Sequence, residues 1–301
     1  MTLPRTVYKE HATGNDFITY IDRTGAFEPD ARQVREICDR HFGIGADGLI
    51  RLAHPRDVND LSEAQVRACE AGGAQWFMDY RNADGSLAEM CGNGTRAITL
   101  LAQRAGLAEP AGGEAFALGT RAGVKTIRPL GDLEPYGRDV FEVSLGQWKR
   151  GERDAYVVSI PGVDGTAKGT FVDMGNPHVV SVLEDGTAAL PALEDLDLNV
   201  TPVVSPALAS GQNAEFVRVD HLDAAAGHGE ATMRVNERGC GETLSCGTGL
   251  CATAITLRAK TGVDHWRIRV RGGLLRVDVG ERDVRLTGSA TIVAKVELQG
   301  R

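Results

Sequence analysis

Two cysteines in the sequence are set for proton chemistry. Cys91-Gly92-Asn93-Gly94 and Cys246-Gly247-Thr248-Gly249 share the pattern C-G-x-G, and each runs into an apolar helical stretch that ends at a glycine, Gly106 or Gly262. A cysteine placed where a helix begins meets unpaired N–H groups and the positive end of the helix dipole. That setting favours the thiolate. Glycines beside the thiol let an anion approach the bare backbone. Each motif therefore offers a reactive thiol and a carboxylate cradle together. A pair of such thiols, one protonated and one not, suits the inversion of a carbon acid, each acting as base in one direction and acid in the other. The plainer reading of a free cysteine is a small buried hydrophobe. Flanking glycines make a poor core and a good turn, so that reading fits Cys38, Cys69, Cys240 and Cys251 better.

The two motifs lie close to half a chain length apart. Upstream of each is a Gly-Asn element, Gly14-Asn15-Asp16-Phe17 and Gly175-Asn176-Pro177-His178, at nearly the same offset. Two elements recurring in one order point to a duplicated domain. If the halves pack with pseudo-two-fold symmetry, the two cysteines can face each other across a cleft.

The elements that would position these residues are short. Strands are expected within 6–22 around a Gly14-Asn15-Asp16 turn, at 48–52 and at 75–80. Further short strands follow within 116–143, at 157–160 and at 170–173. Val34, Ile37 and Cys38 recur at helical spacing, which predicts a helix over 31–41. A second helix is expected over 95–105. The polar stretch 54–73 reads as a surface insertion with a short helix at 61–69. Few helices among many short strands indicate a mixed, sheet-rich α/β fold. It would have two pseudo-symmetric domains, each with a central helix starting at C-G-x-G. The domains are expected at 1–135 and 136–289, with 290–301 completing the first.

Composition narrows the class. The chain has 301 residues, 42% apolar, 25% charged and 5% aromatic, with a net charge of −8. That is a globular profile, long enough to bury a core without staples. The 37 glycines exceed the usual share of ~7%, which implies many tight turns. An acidic balance argues against a nucleic-acid surface. No apolar run approaches the ~18 residues of a membrane span, and residues 1–10 lack the apolar core of a signal peptide. The six cysteines form no C-x-x-C pair and fit no zinc spacing, so no metal is expected. A cytoplasmic protein with reduced thiols is the expectation.

The blocks Asn82-Ala83-Asp84-Gly85-Ser86-Leu87-Ala88-Glu89-Met90-Cys91-Gly92-Asn93-Gly94 and Glu237-Arg238-Gly239-Cys240-Gly241-Glu242-Thr243-Leu244-Ser245-Cys246-Gly247-Thr248-Gly249 resemble the two signatures of the diaminopimelate epimerase family. His11-Ala12-Thr13-Gly14-Asn15-Asp16-Phe17, Gly43-Ile44-Gly45-Ala46-Asp47-Gly48 and Gly175-Asn176-Pro177-His178 look like its other blocks, in the same order. The resemblance implies a cofactor-independent enzyme interconverting LL- and meso-2,6-diaminopimelate, on the route to lysine and peptidoglycan. It implies a cytoplasmic homodimer whose last strand, near 291–298, returns to the first domain. By resemblance Cys91 and Cys246 are the acid/base pair. The amides of Gly92, Asn93, Gly247 and Thr248 hold the carboxylate on the reacting carbon. Asn15, Asn82, Asn176 and Asn213 bind substrate, Arg238 grips the far carboxylate, and His178 and Glu237 lie near the reacting centre. Some members of the family have glutamine where this chain has Gly48, and glycine cannot make that contact. The stretch 54–73 is longer than the family's usual connection.

Two other classes remain beside this reading. A proline- or hydroxyproline-type racemase shares the thiol chemistry, but its substrate needs no second polar pole of the kind Arg238 and four asparagines offer. A cysteine hydrolase would use Cys246 as nucleophile and His178 as base, yet it needs no second C-G-x-G. A pyridoxal-phosphate racemase would need a lysine in a phosphate-binding context, and none of the lysines has one.

Overall fold

A two-residue turn starts the chain's first hairpin. Thr13 and Gly14 both take positive φ, 50° and 85°, as the tightest hairpin turns demand. A threonine is rarely found there. Its hydroxyl is held by the buried Arg96 Nη2 at 3.1 Å, so the surroundings impose the conformation.

The computed structural model describes residues 3–183 and 189–299. The elements are β1 (Thr6–Ala12), β2 (Asn15–Asp22), α1 (Ala31–Cys38), β3 (Gly48–Ala53), α2 (Glu63–Ala71), β4 (Trp76–Asn82), α3 (Gly92–Arg104), β5 (Phe116–Gly119), β6 (Lys125–Leu133) and β7 (Gly137–Gly146). Next come β8 (Lys149–Arg150), β9 (Tyr156–Ser159), β10 (Ala167–Asp173), β11 (Pro177–Val182), β12 (Val203–Ser205), β13 (Asn213–Asp223), β14 (His228–Glu237) and β15 (Gly241–Glu242). The chain finishes with α4 (Gly247–Thr261), β16 (His265–Val270), β17 (Gly273–Val279), β18 (Val284–Ser289) and β19 (Thr291–Glu297). The fold is a sheet-rich α/β type. Two compact units form, Met1–Ser144 with Gly288–Arg301, and Leu145–Thr287. The sequence places the division at 135/136; it falls later because β7 is the hairpin partner of β6, up to Thr126 opposite Ser144.

In the first unit the strand order is β19-β1-β2-β3-β4-β5-β6-β7. From β1 onward the pairings run antiparallel, parallel, antiparallel, parallel, antiparallel, antiparallel. Helix α3 connects the fourth and fifth of these strands and packs on β1, β2, β3, β4 and β6, and on β19. The second unit has the order β12-β9-β10-β11-β13-β14-β16-β17-β18. From β10 its pairings repeat the same sequence of directions, with α4 again between the fourth and fifth strands. In each unit one helix is buried over most of its length, and α4, apolar on all sides, shows no one-sided stripe of the kind a surface helix has.

Three element ends differ from expectation. Helix α1 stops at Cys38, because Asp39 turns to an extended ψ of 127° and its carboxylate takes the N–H groups of His41 and Phe42, both at 2.7 Å. Helix α2 starts at Glu63, set by a capping box between Ser62 and Gln65. Helix α3 begins at Gly92, with Cys91 as its N-cap. The stretch 54–73 is largely exposed, but buried Cys69 anchors it in a small cluster with Ala53, Val58, Ala74 and Phe77. Among the described residues no helix is long and apolar enough to cross a membrane.

Candidate active site

Because the two ladders match, residues can be paired by register. Phe17 on β2 lies opposite Gly48 on β3, and Gly48 opposite Asn82 on β4. In the second unit His178 on β11 lies opposite Asn213 on β13. Asn213 precedes Ala214, whose partner Asn236 precedes Glu237 on β14. The equivalent positions are thus Asn15 and Asn176, Phe17 and His178, Gly48 and Asn213, Asn82 and Glu237, and Cys91 and Cys246. The same strand ends and the same helix N-terminus carry the candidate residues in both units.

In the first unit Cys91 caps α3 with extended dihedrals, φ −137° and ψ 118°, and its sulfur accepts from Gly94 N at 3.4 Å. The Cys91 thiol donates to Asn15 Oδ1 at 3.3 Å, and Asn93 Nδ2 donates to the same oxygen at 3.3 Å. Asn15 Nδ2 in turn donates to Asp47 Oδ2 at 2.7 Å. Arg96, fully buried on the first turn of α3, donates to Asn93 Oδ1 at 2.8 Å and to Gly92 O at 3.3 Å. Cys91, Asn15 and Asn93 are therefore one hydrogen-bonded group. Asn82 stands at the neighbouring strand end, where its amide donates to Ser86 Oγ at 3.0 Å. The amides of Gly92 and Asn93 occupy the first helical positions, which have no acceptor within the helix.

The second unit repeats the motif with different chemistry. Cys246 caps α4 and its sulfur accepts from Gly249 N at 3.4 Å, with Thr248 Oγ1 at 3.5 Å. Asn176 Nδ2 donates to Thr248 Oγ1 at 3.3 Å, and Asn176 Oδ1 meets His178 Nε2 at 3.0 Å. His178 Nδ1 lies 2.7 Å from Glu215 Oε1, with both side chains fully buried. His178 thus stands behind Asn176, with both ring nitrogens engaged. Glu237 accepts from Thr243 Oγ1 at 2.5 Å and lies close enough to Cys246 for each to shift the other's titration. Asn213 bridges two backbones, accepting from Arg238 N at 3.0 Å and donating to Pro177 O at 3.2 Å. The exposed Arg238 guanidinium donates to Ser210 O at 2.7 Å.

Electrostatics here run against the expectation of a lowered thiol pKa. Burial pushes the Cys246 thiol well above its ordinary value, and the charges of Glu237 and Glu215 raise it further. Thr248 and the Gly249 amide oppose this without reversing it. A helix N-terminus is worth about 0.3–1 kcal/mol to a charge, less than desolvation plus two nearby carboxylates. Glu237 is itself raised, first by burial.

Gly48 has a local reason. A methyl group there would stand 2.6 Å from Tyr80 Cε2 and 2.6 Å from Arg81 O. The Tyr80 ring, set edge-on to Phe17 at 5.8 Å, fills the space a longer residue would use. Sequence reasoning missed Tyr80, Arg96 and Glu215. The signal for the last two was a lone charge inside an apolar helix or strand, Arg96 just after C-G-x-G and Glu215 between Ala214 and Phe216.

The family model for diaminopimelate epimerase matches residues 7–134 and 170–293. A diaminopimelate epimerase from Thermobifida fusca is 38% identical over 293 residues, covering 97% of each chain. One from Corynebacterium glutamicum is 36% identical over 302 residues, covering 99% of this chain and 100% of its own. Among solved structures, a phenazine biosynthesis protein of the PhzF family from Bacillus anthracis superimposes with a TM-score of 0.64 at 15% identity, covering 98% of both chains. A probable proline racemase from Agrobacterium radiobacter gives 0.62 at 16% identity, covering 98% of this chain and 92% of that one. At such identities these two structures speak to the fold alone. With the family model matching most of its length and full-length relatives above one-third identity, this chain belongs to the diaminopimelate epimerase family.

Proposed function

We propose that the chain interconverts LL- and meso-2,6-diaminopimelate by two-base proton transfer, supplying precursors for lysine and peptidoglycan. The observation that carries this reading is the repeated ladder with a cysteine at the same helix N-cap in both units. Inversion at an α-carbon requires a base on one face and an acid on the other. In the proposal each unit supplies one thiol, Cys91 or Cys246. The first-turn amides of Gly92, Asn93, Gly247 and Thr248 receive the carboxylate of the reacting centre and stabilise the charge that develops as the α-proton leaves. Asparagine can donate to a carboxylate and accept from an ammonium, so Asn15, Asn82, Asn176 and Asn213 suit a substrate with both groups at each end. Arg238 takes the far carboxylate through its planar fork. Glu237, near Cys246, exchanges a proton with that thiol or accepts from the ammonium, and His178 orients Asn176.

The reaction in this proposal needs no pyridoxal phosphate or metal, and the enzyme works as a cytoplasmic homodimer. The test is turnover of LL-diaminopimelate in deuterated water by the chain and by Cys91→Ala and Cys246→Ala. Each variant should lose at least ~100-fold in epimerisation, the lower range for a missing acid or base. Chelator should leave turnover unchanged, and sedimentation should give twice the chain mass. Full epimerase activity in either alanine variant would overturn the mechanism, and turnover of proline isomers in place of diaminopimelate would overturn the substrate.

A further inference from the structure

Glu215 has no part in the resemblance, yet it reaches both His178 and the first turn of α4. It sits on β13 directly beneath the first turn of α4. A methyl group at Gly249 would stand 2.6 Å from Glu215 Oε1 and 3.3 Å from Cys246 Sγ. Carboxylate and sulfur therefore lie within about 6 Å, the range over which one charge moves another group's titration. Only glycine at 249 permits this approach. Oε1 also holds His178 Nδ1 at 2.7 Å, while Oε2 is buried with no hydrogen-bond partner among the described residues. An unbroken series of contacts runs from Glu215 to His178, Asn176, Thr248 and Cys246, at 2.7, 3.0, 3.3 and 3.5 Å.

We propose that Glu215 is a positioning residue with two tasks: its buried carboxylate fixes His178 and through it Asn176 and Thr248, and its charge keeps Cys246 a thiol until substrate enters. The groups facing Cys246 are Glu237 from β14 and Glu215 from β13, with His178 from β11 against Glu215. Glu215 Oε1 accepts from His178 Nδ1–H, and Asn176 Oδ1 accepts from His178 Nε2–H. Glu237 lies on the neighbouring strand end beside the thiol; Glu215 is turned toward His178 and acts only through position and field. This inference rests on the two-thiol reading for its catalytic meaning, but not for its test.

The experiment titrates the ultraviolet absorbance of the Cys246 thiolate, taken as the difference between each chain and its Cys246→Ala counterpart. In Glu215→Gln the midpoint should fall by about one pH unit or more, as expected when one nearby charge is removed. In Glu215→Asp, which keeps the charge, it should stay near that of the parent chain. An unchanged midpoint in folded Glu215→Gln, or an equal fall in Glu215→Asp, overturns the proposal. A second measurement needs no folded variant at this site. Nitrogen-15 histidine spectra of the parent chain should show a proton retained on His178 Nδ1 from mildly acid to mildly alkaline solution, and an unprotonated Nδ1 overturns it as well. Both readouts report on Cys246 and His178 whether or not diaminopimelate turns over. A parent chain that fails to epimerise but titrates as described therefore refutes the proposed function alone.

Discussion

Glu10 is a buried carboxyl that the proposed reaction does not use, and its consequence for stability can be worked out. It lies on β1, fully inaccessible, with Oε1 bonded to Thr19 Oγ1 at 2.5 Å and Oε2 unpartnered among the described residues. Burial pushes its pKa up to about 8 from 4.5, with Thr19 opposing. The folded chain therefore keeps a proton that the unfolded chain has released, throughout the window between these values. Over that window the folded state binds more protons than the unfolded one, so stability falls as pH rises. At 1.36 kcal/mol per unit the full effect is about 5 kcal/mol, reached above about pH 8, with about 3 kcal/mol present at neutrality. Glu10→Gln is isosteric and keeps an oxygen for Thr19, but it cannot ionise. The assay is urea unfolding of both chains near pH 5 and near pH 8.5, compared as a difference of differences so that all other titrating groups cancel. Between those points the parent chain should lose about 3–5 kcal/mol more than Glu10→Gln. Parallel pH dependence in the two chains would show that Glu10 is already ionised when folded, and the reasoning from its burial would be wrong.

Three further outcomes follow from the same geometry. Gly48→Ala should lower stability by about 1–3 kcal/mol, because the added carbon meets the Tyr80 ring and the Arg81 carbonyl; an unchanged melting temperature would contradict the contact. Arg51→Met should cost about 3–5 kcal/mol, since it leaves the fully buried Asp22 and Asp79 without the guanidinium between them. Denaturant unfolding at neutral pH measures that loss, and one under 1 kcal/mol would show that other partners compensate. Arg238→Lys should lower kcat/KM by about 10-fold or more, chiefly through KM, because lysine lacks the planar fork. Unchanged steady-state constants would remove Arg238 from the substrate site.

The sequence exposes residues whose role depends on neighbours along the chain. Cys91 and Cys246 are legible because a C-G-x-G before an apolar run is local information, and the duplication is legible because two such elements recur. The order of strands is not, since the parallel pairings β2–β3, β11–β13, β4–β5 and β14–β16 join segments with no local signal between them. The equivalence of Gly48 with Asn213, and of Asn82 with Glu237, appears only once registers are known. Tyr80 escapes notice because its importance lies in leaning over Gly48 from the adjacent strand. The direction of the Cys246 titration is misjudged from sequence for the same reason. A helix N-terminus can be read locally, whereas Glu215 reaches the thiol only by folding.

The antiparallel pairing of β19 with β1, from Thr6 opposite Glu297 to His11 opposite Thr291, has a consequence for synthesis. The first unit lacks its edge strand until β19 is made, whereas Leu145–Thr287 is continuous in the chain. The C-terminal unit can therefore close on itself while the N-terminal sheet still waits with β1 open. Closing that edge joins strands with the whole of the second unit between them in sequence, a long-range contact of the kind that slows folding. During the wait β1 presents an unpaired edge, which is where a nascent chain is most exposed to wrong pairing.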